Sequence, residues 1–145
     1  MNDTNELRSL DLGEMDEREA QRFLTELLSK LDPEEEYNVR HPDDYMLEMP
    51  QSGERIRGRE RMRRFQQSYA ALSPSDPAHG IRVNRVLVRD GLWVVEGLAE
   101  YDEGRADLNV VLILELRDGM MWRDRWYFAE PFEAPEWRSQ WTEHP

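Results

Sequence analysis

Two Asp-Gly pairs, Asp90-Gly91 and Asp118-Gly119, each stand between two runs rich in Val, Leu and aromatic residues. A two-residue type I′ turn needs positive φ at both central positions, and Asp-Gly tolerates this where most pairs do not. The pairs therefore predict two tight hairpins, Ile81–Arg89 with Leu92–Tyr101 and Ala106–Leu116 with Met120–Ala129. Asp102-Glu103-Gly104 joins them through a longer turn, so the second half of the chain reads as a four-stranded antiparallel meander.

The first half carries a different period. Ala20, Phe23, Leu24, Leu27, Leu28 and Leu31 recur every three or four residues, which sets them on one stripe of a helix from Asp16 to Leu31. Asp32-Pro33-Glu34-Glu35 starts a second helix, with Asp as cap, Pro in the first turn and acids at the positive end of the helix dipole. His41-Pro42 closes it. Asp44–Pro50 and Glu54–Arg57 read as short strands around Gln51-Ser52-Gly53. Met62, Phe65, Tyr69 and Leu72 mark a third helix, Arg59–Leu72, stopped by Ser73-Pro74 and Asp76-Pro77. Helices followed by a meander predict an α+β domain with the helices on one face of a curved sheet.

A chain of 145 residues fits one domain. Residues 1–13 are polar and expected to be flexible, leaving 14–145 as the folded unit. The absence of Cys excludes disulfides, thiolate catalysis and Cys-ligated zinc. No apolar run is long enough to cross a bilayer, and the N-terminus lacks a signal pattern, so the expectation is a cytoplasmic protein away from membranes. A formal charge of −12 repels phosphate backbones and argues against nucleic acid as a partner. The arginine run at 55, 57, 59, 61, 63 and 64 reads as a solvated helix start partly balanced by Glu54 and Glu60.

Counting outward from Asp118-Gly119 in uniform register puts Leu108, Val110, Leu112, Leu114, Leu116, Met121, Arg123, Arg125 and Tyr127 on one face. The other carries Asn109, Val111, Ile113, Glu115, Trp122, Asp124, Trp126 and Phe128. Both faces are largely apolar, whereas a sheet with one wet face alternates more cleanly. Helices cover one face, and a second copy of the chain is expected to cover the other, giving a sheet-to-sheet homodimer. Arg85 falls opposite Glu96 as an ordinary cross-strand ion pair.

The element order resembles the cone-shaped fold of the nuclear transport factor 2-like superfamily. The run Tyr45-Met46-Leu47-Glu48-Met49-Pro50-Gln51-Ser52-Gly53 followed by Arg57-Gly58-Arg59 resembles the first strand and helix start of its SnoaL-like branch. Arg117-Asp118-Gly119-Met120-Met121, Arg125-Trp126-Tyr127-Phe128-Ala129-Glu130-Pro131-Phe132 and Ala134-Pro135-Glu136-Trp137-Arg138 resemble that branch's last hairpin and tail. The resemblance implies a deep pocket between helices and concave sheet, holding an acid–base group and a hydrogen-bond donor and using neither metal nor organic cofactor. Trp122-Arg123-Asp124 is similar to a motif of the superfamily's limonene-epoxide hydrolases. The Arg-x-Asp those enzymes carry two strands earlier is replaced here by Glu96-Gly97-Leu98-Ala99-Glu100.

Asp124 and Arg125 are the candidate catalytic residues, and Tyr45, Trp122, Trp126 and Tyr127 the candidate substrate contacts. An acid among apolar side chains has its charged form disfavoured, so its pKa rises toward neutrality and it becomes a usable base. If the Asp124 face is concave, Trp122 and Trp126 wall its ligand; if the other is, Arg125 and Tyr127 become donors and Asp124 turns to the dimer side. The expected ligand is a small apolar or carbonyl-bearing molecule. The expected chemistry is isomerisation, dehydration, cyclisation or hydrolysis, with a non-catalytic binding or dimerisation module as the alternative. A buried carboxylate beside a donor favours the enzyme; a wall with every charge paired favours the binder.

Overall fold

The computed structural model describes residues 10–72, 77–102 and 105–145. Helix α1 spans Glu17–Lys30, and its Asp16–Glu19 capping box satisfies two of the orphan amide groups at its start. Its stripe Ala20, Leu24, Leu27 and Leu28 is buried. Leu31 takes the left-handed conformation (φ 49°), turning the chain into α2, Pro33–Asn38, which Asp32 caps. Strands β1 (Met46–Met49) and β2 (Glu54–Arg57) form a hairpin. Gly58, at φ 89°, then redirects the chain into α3, Arg59–Ala70. The meander follows as β3 (Gly80–Arg89), β4 (Leu92–Glu100), β5 (Leu108–Arg117) and β6 (Met120–Ala129). Both Asp-Gly pairs have positive φ at both positions, as the predicted hairpins require.

The sheet runs β2-β1-β6-β5-β4-β3. Strand β1 pairs parallel to β6, so the N-terminal hairpin extends the meander at its far edge. Helix α1 lies on β3, and the fit is tight. A Cβ on Gly80 would stand 2.5 Å from the Ser29 carbonyl oxygen. Between helix and sheet, Leu24, Leu27 and Leu28 meet Val83, Val86, Trp93, Val95, Val110 and Leu112 in one core. Phe23 packs edge-on to Trp93, ring centroids 6.4 Å apart.

The uniform register expected for the last hairpin fails at one residue. Leu116 pairs with Met121, but Glu115 pairs with Arg123, which leaves Trp122 as the extra residue of a β-bulge. A one-residue slip flips every later side chain. From there Leu114, Leu112 and Val110 stand opposite Asp124, Trp126 and Phe128. Asp124 therefore shares the helix-covered face with the leucines, and Arg125 and Tyr127 share the outer face with Ile113 and Val111. A second bulge, at Asn84, shifts β3 against β4 and still leaves Arg85 and Glu96 paired at 3.1 Å.

The two chain ends are held differently. Residues 1–9 lie outside the described residues. From there the segment is anchored: the Leu12 amide donates to the Gly119 carbonyl at 3.0 Å, and the Leu12 side chain is in the core. At the other end Trp137 and Trp141 lie in a 3-10 helix, Glu136–Trp141, with no buried residue. Phe132, Trp137 and Trp141 are all more than 70% exposed, at 77%, 73% and 72%.

Candidate functional site

The three helices and the inner sheet face enclose a cavity of about 410 Å³. Its walls are mostly apolar: Leu24, Leu27 and Leu28 from α1, Leu112 and Leu114 from β5, and the rings of Phe65, Tyr69, Tyr101, Trp126 and Phe128. Glu36, Arg40, Gln66 and Asp124 supply a polar corner.

That corner is assembled from distant parts of the chain. Glu36 on α2 and Arg40 just beyond it are one helical turn apart, and Arg40 Nη2 donates to Glu36 Oε1 at 3.0 Å. Gln66 on α3 ties them together. Its Oε1 accepts from Arg40 Nη1 at 2.7 Å, and its Nε2 donates to Glu36 Oε1 at 3.0 Å. Tyr45, immediately before β1, donates its hydroxyl to Asp124 Oδ2 at 2.7 Å, and the Arg40 guanidinium lies 5.2 Å from the Tyr45 ring centre. Glu36, Arg40, Tyr45 and Asp124 are each at most 3% exposed. Three atoms of this network have no hydrogen-bond partner: Glu36 Oε2, Arg40 Nε and Asp124 Oδ1. Buried polar atoms are normally paired, so three unpaired atoms in the corner that borders the cavity are a departure that needs a reason.

Burial pushes the Asp124 carboxyl up to about 6, against the pull of Arg40 and the Tyr45 hydrogen bond, with Glu36 adding a smaller push upward. Glu36 is also raised, again chiefly by burial and against Arg40. Tyr45 is driven well above the phenol range by burial and then by the Asp124 charge, so it stays a donor. Asp124 is thus poised to gain or lose a proton near neutral pH, with Oδ2 fixed by Tyr45 and Oδ1 buried without a partner.

Of the residues singled out by sequence, Asp124 and Trp126 border the cavity. Tyr45 supports Asp124 from within the core. The bulge carries the others away. Trp122 donates Nε1 to Asp44 Oδ2 at 3.1 Å and is flanked by the guanidinium groups of Arg123 and Arg117, outside the cavity lining. Arg125 and Tyr127 are on the outer face, and Arg125 Nε stands 3.7 Å from Glu48 Oε1 with both side chains over a third exposed.

Glu36, Arg40 and Gln66 were not visible as site residues in the sequence. The one available signal is the i, i+4 spacing of Glu36 and Arg40, which ordinary surface helices share. The arginine run is less solvated than its composition implies. Arg59 and Arg63 stack on the Tyr37 ring at 4.2 and 4.1 Å, and Arg63 pairs with Glu60 at 2.7 Å. Among the described residues no cluster of three or more His, Asp or Glu is placed to hold a metal ion, and no helix is long and apolar enough to cross a membrane.

A helix-roofed curved sheet beside an apolar cavity with two buried acids at one corner defines an α+β fold of the pocket type. No family model matches the sequence, and no curated protein does. Solved structures do. A nuclear transport factor 2-like protein of unknown function from Burkholderia xenovorans is 35% identical, over 88% of this chain and 94% of that one, with a TM-score of 0.68. This chain belongs to the nuclear transport factor 2-like family. It is also similar to a candidate ketosteroid isomerase from Kribbella flavida (27% identity, 87% of each chain, TM-score 0.69). A protein of ketosteroid isomerase-like fold from Catenulispora acidiphila, solved with trimethylamine, shares the fold at 13% identity over 75% of this chain and 85% of that one, TM-score 0.57.

Proposed function

We propose that the cavity takes a small, mostly apolar, carbonyl-bearing substrate and that Asp124 moves a proton on it without a cofactor. The observation that carries this reading is the polar corner bordering the cavity, where the carboxylate oxygen Asp124 Oδ1 and the donor Arg40 Nε have no partner. Ionised Asp124 takes a proton from the carbon beside the carbonyl. The C–H electron pair moves onto the carbonyl oxygen as an enolate, which Arg40 Nε stabilises by hydrogen bonding. Where the substrate carries a double bond one carbon further on, the enolate is a dienolate, and protonated Asp124 returns the proton to its far carbon, shifting the double bond and completing an isomerisation. The similarity to the Kribbella flavida protein supports this class of chemistry, and the trimethylamine held by the Catenulispora acidiphila protein supports a small-molecule occupant.

The test is hydrogen–deuterium exchange beside the carbonyl in a panel of cyclic ketones, followed by NMR in heavy water. The protein should accelerate exchange for at least one ketone, and Asp124→Asn should remove at least about a hundredfold of that acceleration. Ketones that quench tryptophan fluorescence on binding but never exchange assign the cavity to a carrier instead.

We place the chain in the SnoaL-like branch and in the cytoplasm, and we infer that it works as a homodimer. Leu87, Leu92 and Val111 are 47%, 36% and 37% exposed on the sheet face turned away from the helices, which supports a second copy as their cover. Sedimentation at micromolar concentration should give a dimer; a monomer removes this part of the reading.

A further inference from the structure

We propose that the occupant of the cavity enters as a cation, an ammonium group carried on an apolar body. The argument is a charge balance. Glu36 and Asp124 bring two carboxylates to the buried corner, and Arg40 brings one guanidinium. Tyr45 and Tyr101 add no charge near neutral pH, because burial raises both phenols above their ordinary range. Lys30, the other cation on the cavity lining, is half exposed and committed to Glu26 at 3.1 Å and Glu35 at 3.3 Å. With all groups ionised, the corner therefore holds one negative charge more than it can neutralise. Each carboxylate keeps one oxygen without a partner, Glu36 Oε2 and Asp124 Oδ1. A buried unpaired charge is costly, and an incoming positive charge relieves that cost, whereas an incoming carboxylate adds to it. The rest of the wall suits the same guest. The rings of Phe65, Tyr69, Tyr101, Trp126 and Phe128 border the cavity. Aromatic faces attract alkylammonium groups, most strongly where water is excluded.

This inference rests on the cavity being the ligand site and is independent of turnover. The probes are benzyltrimethylammonium and neopentylbenzene, which have the same shape and differ in charge. The ammonium probe has no titratable proton, so any pH dependence belongs to the protein. Affinities are measured by tryptophan fluorescence, and the readout is their ratio, in which a general loosening of the site by a substitution cancels. At about pH 7.5 the cation should bind about tenfold more tightly or better. The ratio should fall severalfold by about pH 5, as Asp124 gains its proton. Asp124→Asn should bring the ratio close to one. Glu36→Gln, which removes the other carboxylate charge, should lower it as well and serves if the first variant fails to fold. Equal or tighter binding of neopentylbenzene at the higher pH, or a preference that survives both substitutions, overturns the proposal. Binding of neopentylbenzene alone leaves the cavity as the ligand site and removes only the cation. Binding of neither probe removes both readings.

Discussion

Asp124→Asn is expected to cost on the order of a hundred- to ten-thousand-fold in turnover, the usual contribution of a positioned general base. It is also expected to make the protein more stable at neutral pH. The side chain is 2% exposed, and burial raises its carboxyl from the ordinary 3.8 to about 6. Between those two values the folded chain holds a proton that the unfolded chain has released. Stability contributed by this group is therefore fully present below about pH 4 and is lost as pH rises through 6. At one pKa unit per 1.36 kcal/mol, the loss amounts to about 3 kcal/mol above pH 7. Asn accepts the Tyr45 hydroxyl and never ionises, so it escapes that loss. Urea denaturation of both proteins at about pH 4 and pH 8 checks this. The variant should match the parent at the lower pH and exceed it by about 3 kcal/mol at the higher. A variant less stable than the parent at pH 8, or a gap that does not change with pH, contradicts the buried-acid account. Such a stability cost, retained beside a cavity, is what the proposed acid–base role entails.

Arg40→Ala acts in the opposite direction. Arg40 is 2% exposed and is hydrogen-bonded to both Glu36 and Gln66. Its removal strands the Glu36 carboxylate in the interior and takes the nearest opposite charge from Asp124. Breaking a buried pair from one side costs about 3–5 kcal/mol, because the remaining charge is left uncompensated. The double replacement Glu36→Gln with Arg40→Met removes both charges and fills a similar volume, so most of that loss should be regained. Chemical denaturation of the single and double variants separates the two effects. A loss below about 1 kcal/mol for Arg40→Ala would place the pair in solvent, contrary to the structure. In an active single variant, the Asp124 carboxyl should rise further, and the acidic limb of the pH–rate profile should move to higher pH with it, since Arg40 is what chiefly holds it down.

The parts of this protein legible in its sequence are those decided within a few residues. The helix stripe from Ala20 to Leu28, the Asp32-Pro33 start and the two Asp-Gly turns are local signals, and the elements they predict begin or end within two residues of the observed bounds. Resemblance of short motifs then carried the reading from α+β to the family. The outer-face assignment failed because a bulge at Trp122 adds one residue to β6, and period-two counting cannot register an insertion. The residue that flips Asp124 inward has no distinctive local spelling.

Asp124 as an acid in apolar surroundings was legible from the leucine- and aromatic-rich strands around it; the identity of those surroundings was not. Its neighbours Tyr45, Arg40 and Glu36 lie about eighty residues earlier, and they reach it because β1 pairs parallel with β6 at Leu47–Asp124. Such a pairing depends on the free energy of the whole assembly, since no turn or cap specifies it. By itself, then, the sequence determined the elements, their order and their connecting turns, because backbone sterics and side-chain periodicity act over short range. Only the tertiary structure decided which sheet face encloses the cavity and which charges meet there, because a bulge, a parallel strand pair and a shared low-dielectric interior are properties of the packed chain.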